Sequence, residues 1–488
     1  MEVPKEISRS SPEYEYDLST VLVKAGTLYE KCLGSEWLLF APDWPGWPVV
    51  VNDSIHELLD QFQTPSTVGD VLARFAECDL VHHGATDLRH LVNAIAFLED
   101  GGFLRTGVTN FPYLLPSGEP SSPKSMEVWL HVTNACNLAC TYCFVQKNDA
   151  EIMHDSVCDA TAEKLARTAI SNQLEKVTVK FAGGEPTLAM PIVERFWARF
   201  EAALAGTGIK THAALLSNGT KIDDRVIAFL RRPNSSISIS VDGCGDAHDL
   251  NRRTKGGSPT WLRIVKNIDR LQNNDISPYI MATITNGSRQ GLPELIRWVF
   301  SRGLQIRLSV VRELGCGPDA DSQAFAERMG HSFNDAFSLL EAEQVLFDPR
   351  LDLQICELRF DQPSSWVTCG IGLNHLVVRA DGTLVSCPMT VNNLGHTAGD
   401  DLLATCRSTF PFKPSESREG TDGAECLSCR WFPVCAGGCP VNNEKTRGHP
   451  FARSPLCSFY QTVIPRYLDL FGRKLQERSA RGKRAQIN

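Results

Sequence analysis

Six short runs of strand-forming residues, each followed by a longer amphipathic stretch, constrain this fold more tightly than any other feature of the sequence. The runs are Met126–His131, Lys176–Phe181, Ala213–Ser217, Ser235–Val241, Tyr279–Thr285 and Gln305–Val311. Between them lie Cys158–Ser171, Pro191–Ala205, Asp223–Arg231, Thr260–Asn273 and Gly291–Arg302, with apolar residues at helical spacing. Strands alternating with helices run parallel and are joined by right-handed crossovers, which predicts an α/β fold. Each run ends in small or polar residues, at the strand end where barrels and open sheets alike carry their chemistry.

The 488 residues suffice for about three domains at roughly 150 residues each. Residues 18–106 precede the alternating region. There Glu36–Phe40 and Trp47–Asn52 predict two strands around a turn with Pro42, Asp43, Pro45 and Gly46. Ser54–Phe62, Thr67–Phe75 and Asp87–Asp100 predict three helices, the last stopped by Gly101-Gly102. Two strands and three helices make a winged-helix-like α+β domain. Residues 107–125, rich in proline and serine, predict a linker, and residues 126–315 hold the six units. Residues 316–465 begin with a helix at Met329–Ala342 and become rich in loops and cysteine. Residues 466–488 form a tail, whose stretch from Arg473 to Asn488, with repeated Arg and Lys, predicts frayed helix or disorder.

Charge and hydropathy exclude several classes. Lys and Arg number 49 against 57 Asp and Glu, a net −8, which argues against a surface built throughout for nucleic acid. No apolar run approaches the roughly 18 residues of a membrane span. The first 18 residues are polar and acidic with no apolar core after their first charges, so a cytoplasmic protein is expected. Seventeen cysteines in such a chain predict metal ligands rather than cross-links.

Ten of the seventeen fall in two blocks. The first, Cys136-x3-Cys140-x2-Cys143, follows the first strand directly. A structural zinc site closes its shell with four ligands, whereas a cubane held by three cysteines leaves one iron open. With Tyr142 before the last cysteine, at the first strand–loop junction of a six-unit β/α fold, this motif resembles the radical S-adenosylmethionine (SAM) superfamily. The resemblance implies a partial (β/α)6 TIM-like barrel and a [4Fe-4S] cluster whose open iron chelates the amino and carboxylate groups of SAM. It also implies a reductant such as flavodoxin or ferredoxin, and reductive cleavage of SAM to methionine and a hydrogen-abstracting 5′-deoxyadenosyl radical.

Other motifs extend the likeness. Gly183-Gly184-Glu185-Pro186 follows the second strand, where the family holds the SAM amino group. Asn218, in Ser217-Asn-Gly-Thr220, matches a ribose contact. Ser240 and Arg252, twelve residues apart, match the carboxylate contacts of sulfatase-maturase-like relatives. Tyr142 and Val310 (or Val311) would face the adenine.

The second block, Cys369, Cys387, Cys426, Cys429, Cys435, Cys439 and Cys457, resembles the SPASM domain, a loop-rich carrier of two auxiliary iron–sulfur clusters. Gly382 lies five residues before Cys387, and Cys426-x2-Cys429-x5-Cys435-x3-Cys439-x17-Cys457 follows that pattern. The resemblance assigns Cys426, Cys429, Cys435 and Cys457 to a distal cluster. It assigns Cys369, Cys387 and Cys439 to a proximal one, with Cys356 or a substrate atom as fourth ligand.

SPASM proteins act mainly on peptides and proteins. The N-terminal region resembles the leader-peptide-recognition domains of enzymes that mature ribosomally made peptides, which bind an extended leader at a sheet edge. The expected function is therefore hydrogen abstraction from a precursor peptide and formation of a cross-link or related oxidative change. Formylglycine formation on a protein Cys or Ser is the alternative. Sulfatase maturases usually carry Asp directly after the cysteine matching Cys387, where this chain has Pro388. A different class, a zinc-binding winged-helix protein for nucleic acid, remains open at this point; otherwise neither nucleic acid nor membrane is an expected partner.

Overall fold

The computed structural model describes residues 16–77, 88–107, 122–312, 322–343, 353–360, 367–390, 393–397, 401–408, 418 and 420–485. Most of the expected linker, Cys78 and Cys316 lie outside the described residues.

All six expected strands are present in chain order among the described residues. The N-terminal region supplies β1 (Val21–Lys24), β2 (Tyr29–Cys32), β3 (Glu36–Phe40), β4 (Val49–Asn52), β5 (Ser66–Thr67) and β6 (Leu104–Arg105). The central region supplies β7 (Ser125–Thr133), β8 (Lys176–Gly183), β9 (Lys210–Ser217), β10 (Ser235–Ser240), β11 (Tyr279–Ile284) and β12 (Gln305–Val310). β13 (Leu353–Ile355), β14 (His375–Val378) and β15 (Leu384–Val385) follow.

β7 to β12 pair in parallel, each with its sequence neighbour. One residue in two packs outward against helices: Ile237 and Ile239 of β10, Ile280, Ala282 and Ile284 of β11, Ile306 and Leu308 of β12 are all buried. Around Phe181, the aromatic rings of Phe196, Trp197 and Phe229 close this core edge-on. The alternate positions form a polar interior, where Glu127 pairs with Lys180 at 2.6 Å and His212 bonds Ser236 at 2.9 Å.

The sheet does not stop at residue 315. β13 adds to β12 in parallel at one edge, and β14 adds to β7 in parallel at the other, with β15 antiparallel beyond it, giving nine strands. Strands of two to four residues leave too short an alternation to be read from sequence. For the same reason only β3 and β4 of the N-terminal strands were expected.

In the N-terminal region β3 pairs with β4 as expected, Glu36 opposite Asn52, and also with β2. β1 pairs with β5 and β6 in a second antiparallel sheet. Helix Asp53–Asp60 begins at Asn52, whose side chain accepts from the Ile55 amide at 3.0 Å. The three tryptophans here are engaged in packing: Trp37 stacks on His56, Trp44 lies under Arg105, and Trp47 meets Phe471.

The expected tail is the end of a long helix, Cys457–Ala485. Leu468 is fully buried, Gly472 lies under Leu33 and Leu38, and Gln476 donates to the Leu33 carbonyl at 3.1 Å. Its contacts with the N-terminal sheet hold in place a segment whose charges suggested fraying. Among the described residues no helix is long and apolar enough to cross a membrane.

Candidate metal centres

Cys136, Cys140 and Cys143 share the loop after β7, and the ends of three further strands fix that loop. After β8, Gly184 donates its amide to the Thr133 carbonyl at 2.7 Å and Glu185 donates to that of Ala135 at 2.8 Å. Only glycine permits this approach. A Cβ on Gly183, whose φ is +111°, would lie 2.2 Å from the Thr133 oxygen, and one on Gly184 2.0 Å from that of Ala135.

Glu185 is fully buried. One carboxylate oxygen accepts from Thr187 and from the Ser217 hydroxyl at 2.8 Å; the other accepts from the Asn218 amide at 2.7 Å. Burial pushes its pKa up against these donors. Two of its partners, Ser217 and Asn218, lie at the end of β9, a positioning contact that the sequence motif did not reveal. Asn218 in turn donates to Asn137 Oδ1 at 2.9 Å and to Cys136 Sγ at 3.8 Å.

Arg252 comes from the segment after β10 that runs along the cysteine loop. The Ala139 amide donates to the Arg253 carbonyl at 2.8 Å and the Thr141 amide to that of Asn251 at 3.1 Å. Arg252 Nη1 donates to Cys140 Sγ at 3.9 Å, and its Nε to Asp242 Oδ2 at 2.8 Å. The guanidinium lies 5.4 Å from the centroid of Tyr142, whose hydroxyl also bonds Asp242. Asp242, fully enclosed, thus orients both residues expected near SAM. It lies two residues after Ser240 in the sequence but was not singled out. Ser240 lies on the partly exposed face of β10.

Val310, expected with Val311 as an adenine contact, is buried in the core with Ile306 and Leu308, and the half-buried Val311 packs against the same core.

The later cysteines form two groups. Cys426, Cys429, Cys435 and Cys457 line one cavity of about 100 Å³, together with Trp431 and Tyr460. Cys356, directly after β13, lies beside Arg312, whose Nη2 donates to its sulfur at 3.8 Å. Cys439 acts on the same guanidinium, and the charge of Arg312 acts on Cys369 and Cys387. Cys387 and Cys439 also share a small apolar cluster. The structure thus sets Cys356, Cys369, Cys387 and Cys439 around one guanidinium.

These residues suit iron–sulfur groups better than closed zinc sites. Among the described residues no three cysteine sulfurs lie within 4.8 Å of one another; the one set meeting that limit is Glu30, His56 and Asp60. A tetrahedral zinc, about 2.3 Å from each sulfur, would hold them about 3.8 Å apart. A multi-iron group, where each sulfur takes its own iron, suits the wider spread. At Glu30, the Lys24 ammonium already lies 2.8 Å away and fills the place of a cation. Beside the first loop, Asn134 Oδ1 is buried without a hydrogen-bond partner among the described residues, an acceptor available to a bound group. Burial pushes the Cys369 and Cys439 thiols up to about 12 and Cys387 and Cys426 to about 11, so metal must displace protons to enter.

Of the other cysteines, Cys158 and Cys406 are buried, Cys244 is half-buried and Cys32 exposed, none in these groups. Arg312, Glu357 and Tyr460 were not expected from sequence; the adjacency of Glu357 to Cys356 was the available signal.

Comparison with known proteins agrees with this geometry. Residues 130–299 match the model of the Radical SAM superfamily. The serine-type anaerobic sulfatase-maturating enzyme of Klebsiella aerogenes is 23% identical over 339 residues, covering 67% of this chain and 82% of that protein. The sporulation killing factor maturation protein SkfB of Bacillus subtilis is 22% identical over 302 residues, covering 59% of this chain and 66% of that protein. The solved structure of native anSMEcpe with bound AdoMet and Cp18Cys peptide superposes with a TM-score of 0.55 at 19% identity, covering 72% of this chain and 99% of that one, a likeness of fold. The strand order and the three-cysteine loop agree with these matches: residues 130–299 are similar to the Radical SAM superfamily, and the chain is similar to relatives of the sulfatase-maturase and SkfB type.

Proposed function

We propose that this radical SAM enzyme modifies a ribosomally made precursor peptide, installing a cross-link or related oxidative change. Cys136, Cys140 and Cys143 hold the SAM-binding [4Fe-4S] cluster. Cys426, Cys429, Cys435 and Cys457 hold one auxiliary cluster, and Cys356, Cys369, Cys387 and Cys439 the other. When bound, the clusters and SAM supply electron transfer and hydrogen-abstracting power. The chain does the rest: Gly183 to Glu185 and Asn218 fix the cysteine loop, and Asp242 holds Arg252 and Tyr142 over it. The polar interior of the sheet, with Ser236, Ser238 and Ser240 along β10, offers hydrogen bonds to an extended peptide.

The observation that carries the peptide reading is where the N-terminal unit sits. Its β2–β3–β4 sheet rests on helix Cys457–Ala485, and Tyr29 meets Trp431, two residues past Cys429, with ring centroids 5.3 Å apart. A leader added to an edge of this sheet would deliver the following peptide beside the auxiliary cysteines. SkfB, by its name, matures a killing factor, which supports the same reading.

Sulfatase-type maturation is the second reading, favoured by the relatives named as sulfatase-maturating enzymes. Pro388 after Cys387 counts against it. Mass spectrometry of a precursor peptide coexpressed with the full chain separates the two: loss of two hydrogens with an intact cysteine or serine supports cross-linking. Formylglycine on a sulfatase-derived peptide, with the precursor unchanged, supports the alternative. Removing the leader from the peptide should reduce its modification.

A further inference from the structure

Arg312, two residues beyond β12, links the two edges of the nine-stranded sheet. Its Nη2 donates to Cys356 Sγ at 3.8 Å, directly after β13 at one edge. Its Nη1 donates to Met389 Sδ at 3.7 Å, two residues past Cys387 at the other. Nε donates to Glu357 Oε1 at 2.7 Å, and the second carboxylate oxygen of Glu357 accepts the Tyr460 hydroxyl. The Glu357 side chain is 9% exposed, and its backbone adopts φ +72°, an uncommon conformation for a residue with a Cβ. A part-buried ion pair and a left-handed glutamate at one place are costly features, and strain of this kind clusters at functional sites.

We propose that Arg312 and Glu357 set the reduction potential of the iron–sulfur group held by Cys356, Cys369, Cys387 and Cys439, with arginine raising it and glutamate lowering it. The inference rests on the proposed ligand set. Reduction adds one negative charge to such a group. An N–H donated to a ligand sulfur and a nearby cation stabilise that charge, and a nearby carboxylate opposes it. Burial magnifies both. The guanidinium wins because it donates directly to a ligand sulfur, whereas both carboxylate oxygens of Glu357 are covered by donors from Arg312 and Tyr460. A raised potential suits a group that takes the one electron left when a substrate radical loses a proton and closes its new bond. Arg312 also stands two residues from Val310, at the end of a strand of the SAM-side barrel.

The test is an electron-paramagnetic-resonance redox titration of anaerobically reconstituted full-length holoenzyme, with iron content measured on each sample. Arg312→Gln should lower the midpoint potential of one auxiliary signal and Glu357→Gln should raise it. The double variant, which leaves no buried charge unpaired, should fall between them. Opposite shifts with iron retained support the proposal; a structural role alone would move both variants the same way. Shifts of one sign, or none with iron retained, overturn it, as does a double variant outside the range of the singles. Should Cys356→Ala retain full auxiliary iron and an unchanged signal, the ligand assignment fails instead, independently of the potentials.

Discussion

The loop from Cys136 to Cys143 and the gathering of Cys356, Cys369, Cys387 and Cys439 hold thiols around one place in opposite ways. In the first, three cysteines lie within eight residues, and the fold needs only to brace the loop, through Gly184, Asn218 and the segment after Arg252. In the second, the sulfurs come from both edges of a nine-stranded sheet and from a loop beyond it, joined across the gap by a part-buried Arg–Glu pair. The first site is local in sequence and braced mainly by uncharged hydrogen bonds. The second exists only once the sheet has curled its edges together. One can be damaged without the other, and the damage should differ in kind.

The largest separation comes from the loop itself. Cys136→Ala, Cys140→Ala or Cys143→Ala should abolish 5′-deoxyadenosine formation under strong reductant while auxiliary iron is retained. Gly184→Ala should act almost as strongly, because its Cβ would stand 2.0 Å from the Ala135 oxygen and push the loop aside. A displacement of about 1 Å at a reacting centre is enough for a loss of about 10²-fold. Single-turnover SAM cleavage, with iron and sulfide analysis of each variant, checks both. Wild-type cleavage by Gly184→Ala would show that the loop does not need this brace.

The next effect tests where charge enters the first site. Asp242 is fully enclosed and bonds Arg252, Tyr142 and the Thr283 amide, the last at 2.9 Å. Asp242→Asn leaves a buried guanidinium unpaired, a change that typically costs about 3–5 kcal/mol. Urea unfolding should show that loss, and Asp242→Asn/Arg252→Met should recover part of it. No recovery would mean that the aspartate acts through the Thr283 amide rather than through the arginine.

The same contrast explains what could be read in advance. The six parallel strands and the first cysteine loop were legible because alternation and spacing are local signals, and β7 to β12 fall within a few residues of the expected bounds. The nine-stranded sheet was not. Leu384–Val385 is too short to show a period, and nothing in His375–Val378 announces β7 as its neighbour. The Cys356 contact was foreseen as one alternative, but Arg312 was not, since nothing in sequence ties residue 312 to residues 356 and 389. The closing helix misled in the other direction. Its Arg and Lys residues hid Leu468, Phe471 and Gly472, which dock on the N-terminal sheet.

The smallest predicted effect lies at the seam between the regions, on β7, which pairs with β8 on one side and β14 on the other. His131 is 4% exposed. Burial, reinforced by the charge of Arg379 just past β14, holds its pKa at about 4 instead of 6.5. Below pH 6.5 the unfolded chain therefore binds a proton that the folded chain refuses. Stability is complete above pH 6.5 and declines as pH falls toward 4, by about 3 kcal/mol in all. Glu127 on the same strand works in a lower window. Burial raises its pKa, but His375 and Lys180 outweigh that and hold it below the usual range. Its contribution is intact above about pH 4.5 and lost only in stronger acid. Urea midpoints at pH 7, 5.5 and 4.5 should thus fall in the wild type and fall distinctly less in His131→Asn, while Glu127→Gln should leave the slope of that interval unchanged. An unaltered slope in His131→Asn would place the acid sensitivity elsewhere than at this seam.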